Sequence, residues 1–166
     1  MEVGSIKPEI RPFDEQGIDA VVGLSLRAWA LVFAPIERAL GSEIYRRLYS
    51  DGWRVSQQQV VEAACTAQKI RVWVAEVGAS TVGFVAVKLH PETSIGEIYL
   101  LAVDPDYQDS GIGTTLTEFA LEAIREAGMM VAMVETKGDP GHAAARRMYE
   151  KAGYLRLPIA RYFKKL

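Results

Sequence analysis

Apolar positions along the chain change period several times, and each change marks an element. Glu9-Ile10-Arg11-Pro12-Phe13 alternates over strand length, with Pro12 favouring an edge or a strand end. Asp14 then stands as an N-cap before Ile18, Val21, Val22, Leu24, Ser25, Ala28, Trp29, Val32 and Phe33. That broad apolar face predicts a helix to about Phe33, with Pro35 restarting the chain. Helical spacing resumes at Ile36, Leu40, Ile44, Leu48 and Tyr49, broken at Gly41-Ser42 and again at Ser50-Asp51-Gly52. A further helix follows from Val55-Ser56 to about Ala67.

The period then falls to two. Arg71 to Val77 and Thr81 to Leu89, joined by Gly78-Ala79-Ser80, read as an antiparallel hairpin. After the loop 90–94 the run Gly96 to Val103 completes a meander. A helix from Gly111 to about Ala127 stops at Gly128. Met129 to Glu135 reads as a strand buried on both faces, its methionines in the core. His142 to Gly153 is a short alanine-rich helix, and Ile159 to Phe163 a last strand.

The stretch with the most chemistry joins the fourth strand to the next helix: Leu101-Ala102-Val103-Asp104-Pro105-Asp106-Tyr107-Gln108-Asp109-Ser110-Gly111-Ile112-Gly113-Thr114. A helix start exposes unpaired N–H groups and the positive end of the helix dipole. Glycines there, Gly111 and Gly113, let a phosphate oxygen approach the main chain, so an anion is expected at Gln108 to Thr114. The nucleotide-hydrolase loop needs Lys and Ser/Thr after its last glycine, but Thr114-Thr115 follow. The dinucleotide fingerprint needs a third small residue, but position 116 is Leu.

Gln108-Asp109-Ser110-Gly111-Ile112-Gly113 resembles the acetyl-coenzyme A loop of the GNAT superfamily of N-acetyltransferases: Gln or Arg, two variable residues, Gly, one variable residue, then Gly or Ala. The resemblance implies that the coenzyme pyrophosphate sits on the amides of Gln108, Asp109, Ser110, Gly111, Ile112, Gly113 and Thr114. It also implies that the pantetheine arm pairs with the main chain of a splayed strand at Leu101, Ala102 and Val103. The basic residue this family often carries beside the loop glutamine is absent, leaving Lys137, Arg146, Arg147 and Lys151 as candidate helpers.

A second segment resembles another helix of that family, patterned Asn, two residues, Ala, two residues, an apolar residue, Tyr, three residues, Gly and an aromatic. Ala145, Met148, Tyr149, Gly153 and Tyr154 match in register, while His142 replaces the usual Asn. His142 and Ala145 are therefore candidate coenzyme contacts. Tyr149 is the candidate acid or hydrogen-bond donor to the departing thiolate. Glu97 matches a position from which some members act as a base through water, and Glu135 is its rival. Trp29, Phe33, Tyr45, Tyr49 and Trp53 are candidates either for an acceptor pocket or simply for helix packing.

The balance of charge narrows the classes. With 19 Lys+Arg against 21 Asp+Glu, interspersed, the chain has neither a nucleic-acid footprint nor a polybasic membrane anchor. No apolar run of bilayer length is read from the sequence, nor is a signal-peptide pattern, so a cytoplasmic location and no membrane partner are expected. The lone Cys65 excludes an internal disulfide and reads as an inert thiol, and two separated histidines predict no metal.

The expectation is one α/β domain over 1–166: a GNAT-like mixed sheet of six to seven strands, antiparallel at the front and parallel across the fourth and fifth, with helices on both faces. The implied function is transfer of an acetyl group from acetyl-coenzyme A to a primary amine of a small molecule or peptide, by direct attack in a ternary complex. The alternative is a non-catalytic acyl-coenzyme A sensing module. A final strand and exposed aromatics are compatible with a homodimer.

Overall fold

The computed structural model describes residues 6–138 and 140–166, without the side chain of Pro140. Strand β1 (Glu9–Pro12) leads through a 3-10 turn, Glu15–Gly17, whose Gln16 amide donates to Asp14 Oδ1 at 2.8 Å, into helix α1 (Ile18–Leu40). Helices α2 (Ser42–Leu48) and α3 (Trp53–Thr66) follow, entered through Gly41 at φ 77° and Gly52 at φ 85°. Strands β2 (Ile70–Val77), β3 (Ser80–His90) and β4 (Ile95–Val103) form the expected meander. Helix α4 (Ile112–Glu126) then crosses to β5 (Val131–Val134), and α5 (Ala143–Lys151) closes the regular structure.

The sheet order is β1-β2-β3-β4-β5, antiparallel except for the parallel β4–β5 pair. Alternate side chains of each strand point to opposite faces, and both faces are covered. On one, Val85, Val87 and Ile98 pack against Ile112, Leu116, Ala120 and Ile124 of α4. On the other, Val74, Phe84 and Ala102 meet Val21 and Leu24 of α1 and Val61 of α3.

Several expectations need correction. Among the described residues the sheet has five strands rather than six or seven: Ile159 to Phe163 forms no strand, and residues 155–166 are exposed, Leu155 at 98%. A strand needs a paired edge as well as a pattern, and the tail makes none. For the same reason β5 is an edge strand. Met129, Ala132 and Val134 join the α4 core, while Val131 and Met133 are exposed and Met130 is 83% exposed, so the two-sided burial is not found and, of the three methionines expected in the core, only Met129 packs there.

Pro35 lies inside α1 and does not restart it. Its missing N–H ordinarily costs a helix interior about 3 kcal/mol. Here Phe33 stacks on Trp53 (centroids 4.6 Å apart, planes at 14°) and meets Tyr49 edge-on, anchoring the helix just before the proline. The Glu15–Leu40 segment, 26 residues long and holding an 18-residue window of mean hydropathy 1.6, is long and apolar enough to cross a bilayer by length and composition, contrary to the reading of the sequence. Its inner face nevertheless packs on the sheet and α3.

Candidate functional site

The first-turn amides of α4 are offered as a cradle by the backbone that precedes them. Gly111 is its N-cap at φ 87°, a left-handed conformation that costs glycine little, and no side chain caps the helix. Asp109 also has positive φ, 58°, and the Ser110 hydroxyl donates to the Tyr107 carbonyl. Ser110 and Ile112 point into the protein, whereas Gln108, Asp109, Gly111 and Thr114 are exposed. The loop therefore presents main chain outward and anchors itself with side chains inward. Gln108 Nε2 donates to the Val103 carbonyl at 3.2 Å, tying the turn to the end of β4.

Gly113 has a further reason to be small. A Cβ there would stand 3.1 Å from Met148 Sδ of α5, and Thr117 Oγ1, which donates to the Gly113 carbonyl at 2.8 Å, also lies 3.7 Å from that sulfur. The two motif-bearing helices thus meet at Gly113.

A splay, which spacing alone does not reveal, is visible in the pairing. β4 pairs β5 only from Ile95↔Val131 to Ile98↔Val134, yet β4 runs on to Val103. Opposite, β3 shifts register between Ala86↔Leu100 and Val87↔Ile98, so Tyr99 is a bulge. Beyond Ile98 the β5 side of β4, including Leu101, Ala102 and Val103, has no strand partner among the described residues.

A cavity of about 370 Å³ opens at this divergence. It brings Leu101, Glu135, His142, Ala145 and Tyr149 together with Trp29, Phe33 and Tyr49; Tyr45 and Trp53 stand behind in the aromatic cluster. Glu97 is not among the lining residues, and His90 Nε2–H donates to its carboxylate at 2.9 Å. His142 is the N-cap residue of α5, and Arg146 donates to the Lys137 carbonyl at 2.5 Å, holding the loop that carries Glu135.

Tyr149 is buried, its ring 5.7 Å from that of Tyr154 and nearly perpendicular to it. Burial, reinforced by Tyr154, pushes the Tyr149 hydroxyl well above the usual phenol range, and burial raises Tyr154 to about 12. Both phenols stay protonated at neutral pH. Cys65, half-buried on α3, is pushed up to about 11 by burial and then by Glu62, which keeps it a thiol rather than a nucleophile. Among the described residues no cluster of three His, Cys, Asp or Glu is placed to hold a metal.

One contact has no sequence signal: Arg27 of α1 donates to Asp104, the residue that ends β4 and opens the turn. Burial works against the Asp104 carboxylate, but the Arg27 hydrogen bond and the Asp106 amide outweigh it and hold the carboxyl below its ordinary range. The residues are 77 positions apart, so only folding pairs them.

A model of the acetyltransferase (GNAT) family matches residues 40–154. The chain belongs to the GNAT acetyltransferase family. Its match to the mycothiol acetyltransferase of Thermomonospora curvata is 30% identical over 107 residues, covering 64% of this chain and 35% of that protein. The chain thus spans about a third of that relative's length. Among solved structures, the PaiA N-acetyltransferase of Thermoplasma acidophilum in complex with coenzyme A superposes with TM-score 0.66 at 17% identity, over 89% of both chains. The ribosomal-protein-S18-alanine N-acetyltransferase of Escherichia coli does so with TM-score 0.65 at 18% identity, over 89% of this chain and 77% of that one. At such identities these two superpositions speak for the fold of this GNAT member, and the family match carries the membership.

Proposed function

We propose that this GNAT member transfers the acetyl group of acetyl-coenzyme A to a primary amine, by direct attack within a ternary complex. The observation that carries this reading is the convergence of the β4 edge beyond its β5 pairing, Tyr149 and Glu135 on one cavity, with the uncapped start of α4 packed on the same α5 through Gly113 and Met148. The residues present fit the coenzyme. The Gly111 turn exposes amides suited to the diphosphate, and the β4 edge at Leu101 and Ala102, past the pairing with β5, suits the amide-bearing arm, while the Val103 carbonyl accepts from Gln108 Nε2. The thioester supplies an acyl group already activated toward nucleophiles.

The chain's own residues do the rest. A protonated amine has no lone pair, so it must lose a proton before attack, and Glu135 is the carboxylate at the cavity wall that is suited to accept it, directly or through water. Glu97, committed to its contact with His90, supports that role less well. Tyr149 donates a hydrogen bond to the departing sulfur. With its hydroxyl held above the ordinary phenol range, and a thiol titrating near 8.5, full proton transfer to sulfur is uphill. Stabilisation by the hydrogen bond is the larger contribution.

Calorimetry with acetyl-coenzyme A, followed by amine-dependent release of free thiol, tests the reading. Tyr149→Phe should lower kcat about a hundredfold while acetyl-coenzyme A affinity holds. Binding without amine-dependent turnover across a broad panel would favour the sensing module instead.

A further inference from the structure

One wall of the cavity comes from α1, the residue just beyond α2, and α3, and its chemistry is lopsided. Trp29, Phe33, Tyr49 and Val60 supply aromatic and aliphatic surface. Phe33 is fixed between a stacked Trp53 and an edge-on Tyr49. Against this, the described lining residues include one carboxylate, Glu135, and one ammonium two positions on, Lys137. We infer that the acceptor is a small monoamine with an apolar or aromatic body, its single ammonium directed to Glu135; this rests on the acetyl-transfer reading.

Three physical arguments select this class. Among the described lining residues a second cationic centre in the acceptor would find no second carboxylate, and it would meet the Lys137 charge. A polyhydroxylated amine would set hydroxyls against Val32, Phe33 and Val60, whose side chains offer no hydrogen-bond partner, and the Gln57 amide nitrogen already donates to Ser25 Oγ at 3.1 Å; the buried Thr136 Oγ1, which makes no hydrogen bond, can meet one hydroxyl. The third argument is size: about 370 Å³ is near the lower end of small-ligand pockets, roughly 300–1,000 Å³, so the acceptor is compact.

The experiment uses the full chain with acetyl-coenzyme A and follows thiol release with 2-phenylethylamine, tryptamine, spermidine, glucosamine and kanamycin. The aromatic monoamines should exceed the others in kcat/KM by about tenfold to a hundredfold, as expected for burying a ring. Trp29→Ala should raise KM for 2-phenylethylamine about tenfold with acetyl-coenzyme A affinity unchanged by calorimetry. Lys137→Glu, at an exposed side chain, should raise kcat/KM for spermidine about tenfold. Spermidine, glucosamine or kanamycin used better than the aromatic amines would overturn the acceptor class and leave acetyl transfer standing. So would acetyl-coenzyme A binding with no turnover of either aromatic amine, whereas absence of acetyl-coenzyme A binding by folded protein would remove the underlying reading as well.

Discussion

Asp104 gathers more structural duties than its place in a turn suggests. Its carboxylate receives Arg27 from α1 and the Asp106 amide at 3.1 Å, while its own amide donates to the Val82 carbonyl at 2.8 Å. Because its folded pKa lies below the ordinary value of about 3.9, the ion pair contributes stability above that pH and loses it as pH falls through the folded pKa. Arg27 is more than half exposed, so solvent screens the pair and the contribution is at most about 1 kcal/mol. Arg27→Ala should therefore destabilise the protein by about that amount at pH 7, and the difference should shrink by pH 3, as read from urea unfolding at both pH values. An equal difference at both would show that Arg27 acts by packing alone. Nothing near position 27 or 104 in sequence announces this pair. Tyr149, by contrast, stands out as a candidate in the sequence because it sits inside a local motif.

Among the elements, α4 shows how tightly neighbours dictate small residues. At Gly96 in β4 an added Cβ would stand 2.4 Å from Ile124 Cγ2 and 3.0 Å from Ile124 Cβ, so α4 would have to move away from the sheet. Gly96→Ala should cost about 1–3 kcal/mol, read as a lowered midpoint in urea. Adding Ile124→Ala to it should cost less than the sum of the single changes, because the second removes the clashing atoms. Gly111→Ala should cost about 1 kcal/mol for a different reason, the positive φ. The hairpin, α4, α5 and the Gly128 and Gly153 stops were readable because their signals are local: period two or 3.6, ended by a glycine. The extent of α1 was not, since Pro35 breaks a helix by its own chemistry and only the aromatic cluster around Phe33 opposes that.

At the scale of the whole molecule, the tail repeats Leu155, Leu157 and Ile159 with strand periodicity yet lies exposed, apart from the sheet. Its ion pairs, Arg156 with Glu150 at 3.5 Å and Lys165 with Glu43 at 2.7 Å, are surface contacts of small value. Deleting residues 157–166 should shift Tm by about 2 °C or less, the range expected for a loss below about 1 kcal/mol in a chain of this size. A drop several times larger in differential scanning calorimetry would mean that the tail completes the sheet as a further strand.

The sequence by itself determined what neighbouring residues decide among themselves: the order of strands and helices from β1 to α5, the glycine turn before α4, and the two short patterns that mark GNAT membership. Backbone conformation and helix entry act over a few positions, so they are written where they act. Only the tertiary structure decided how β4 parts from β5, which side chains face the opening, and that Glu135 lines it while Glu97 meets His90. Those outcomes depend on strand register and on helices far apart in the chain competing for the same face of a sheet. No window of sequence contains that competition.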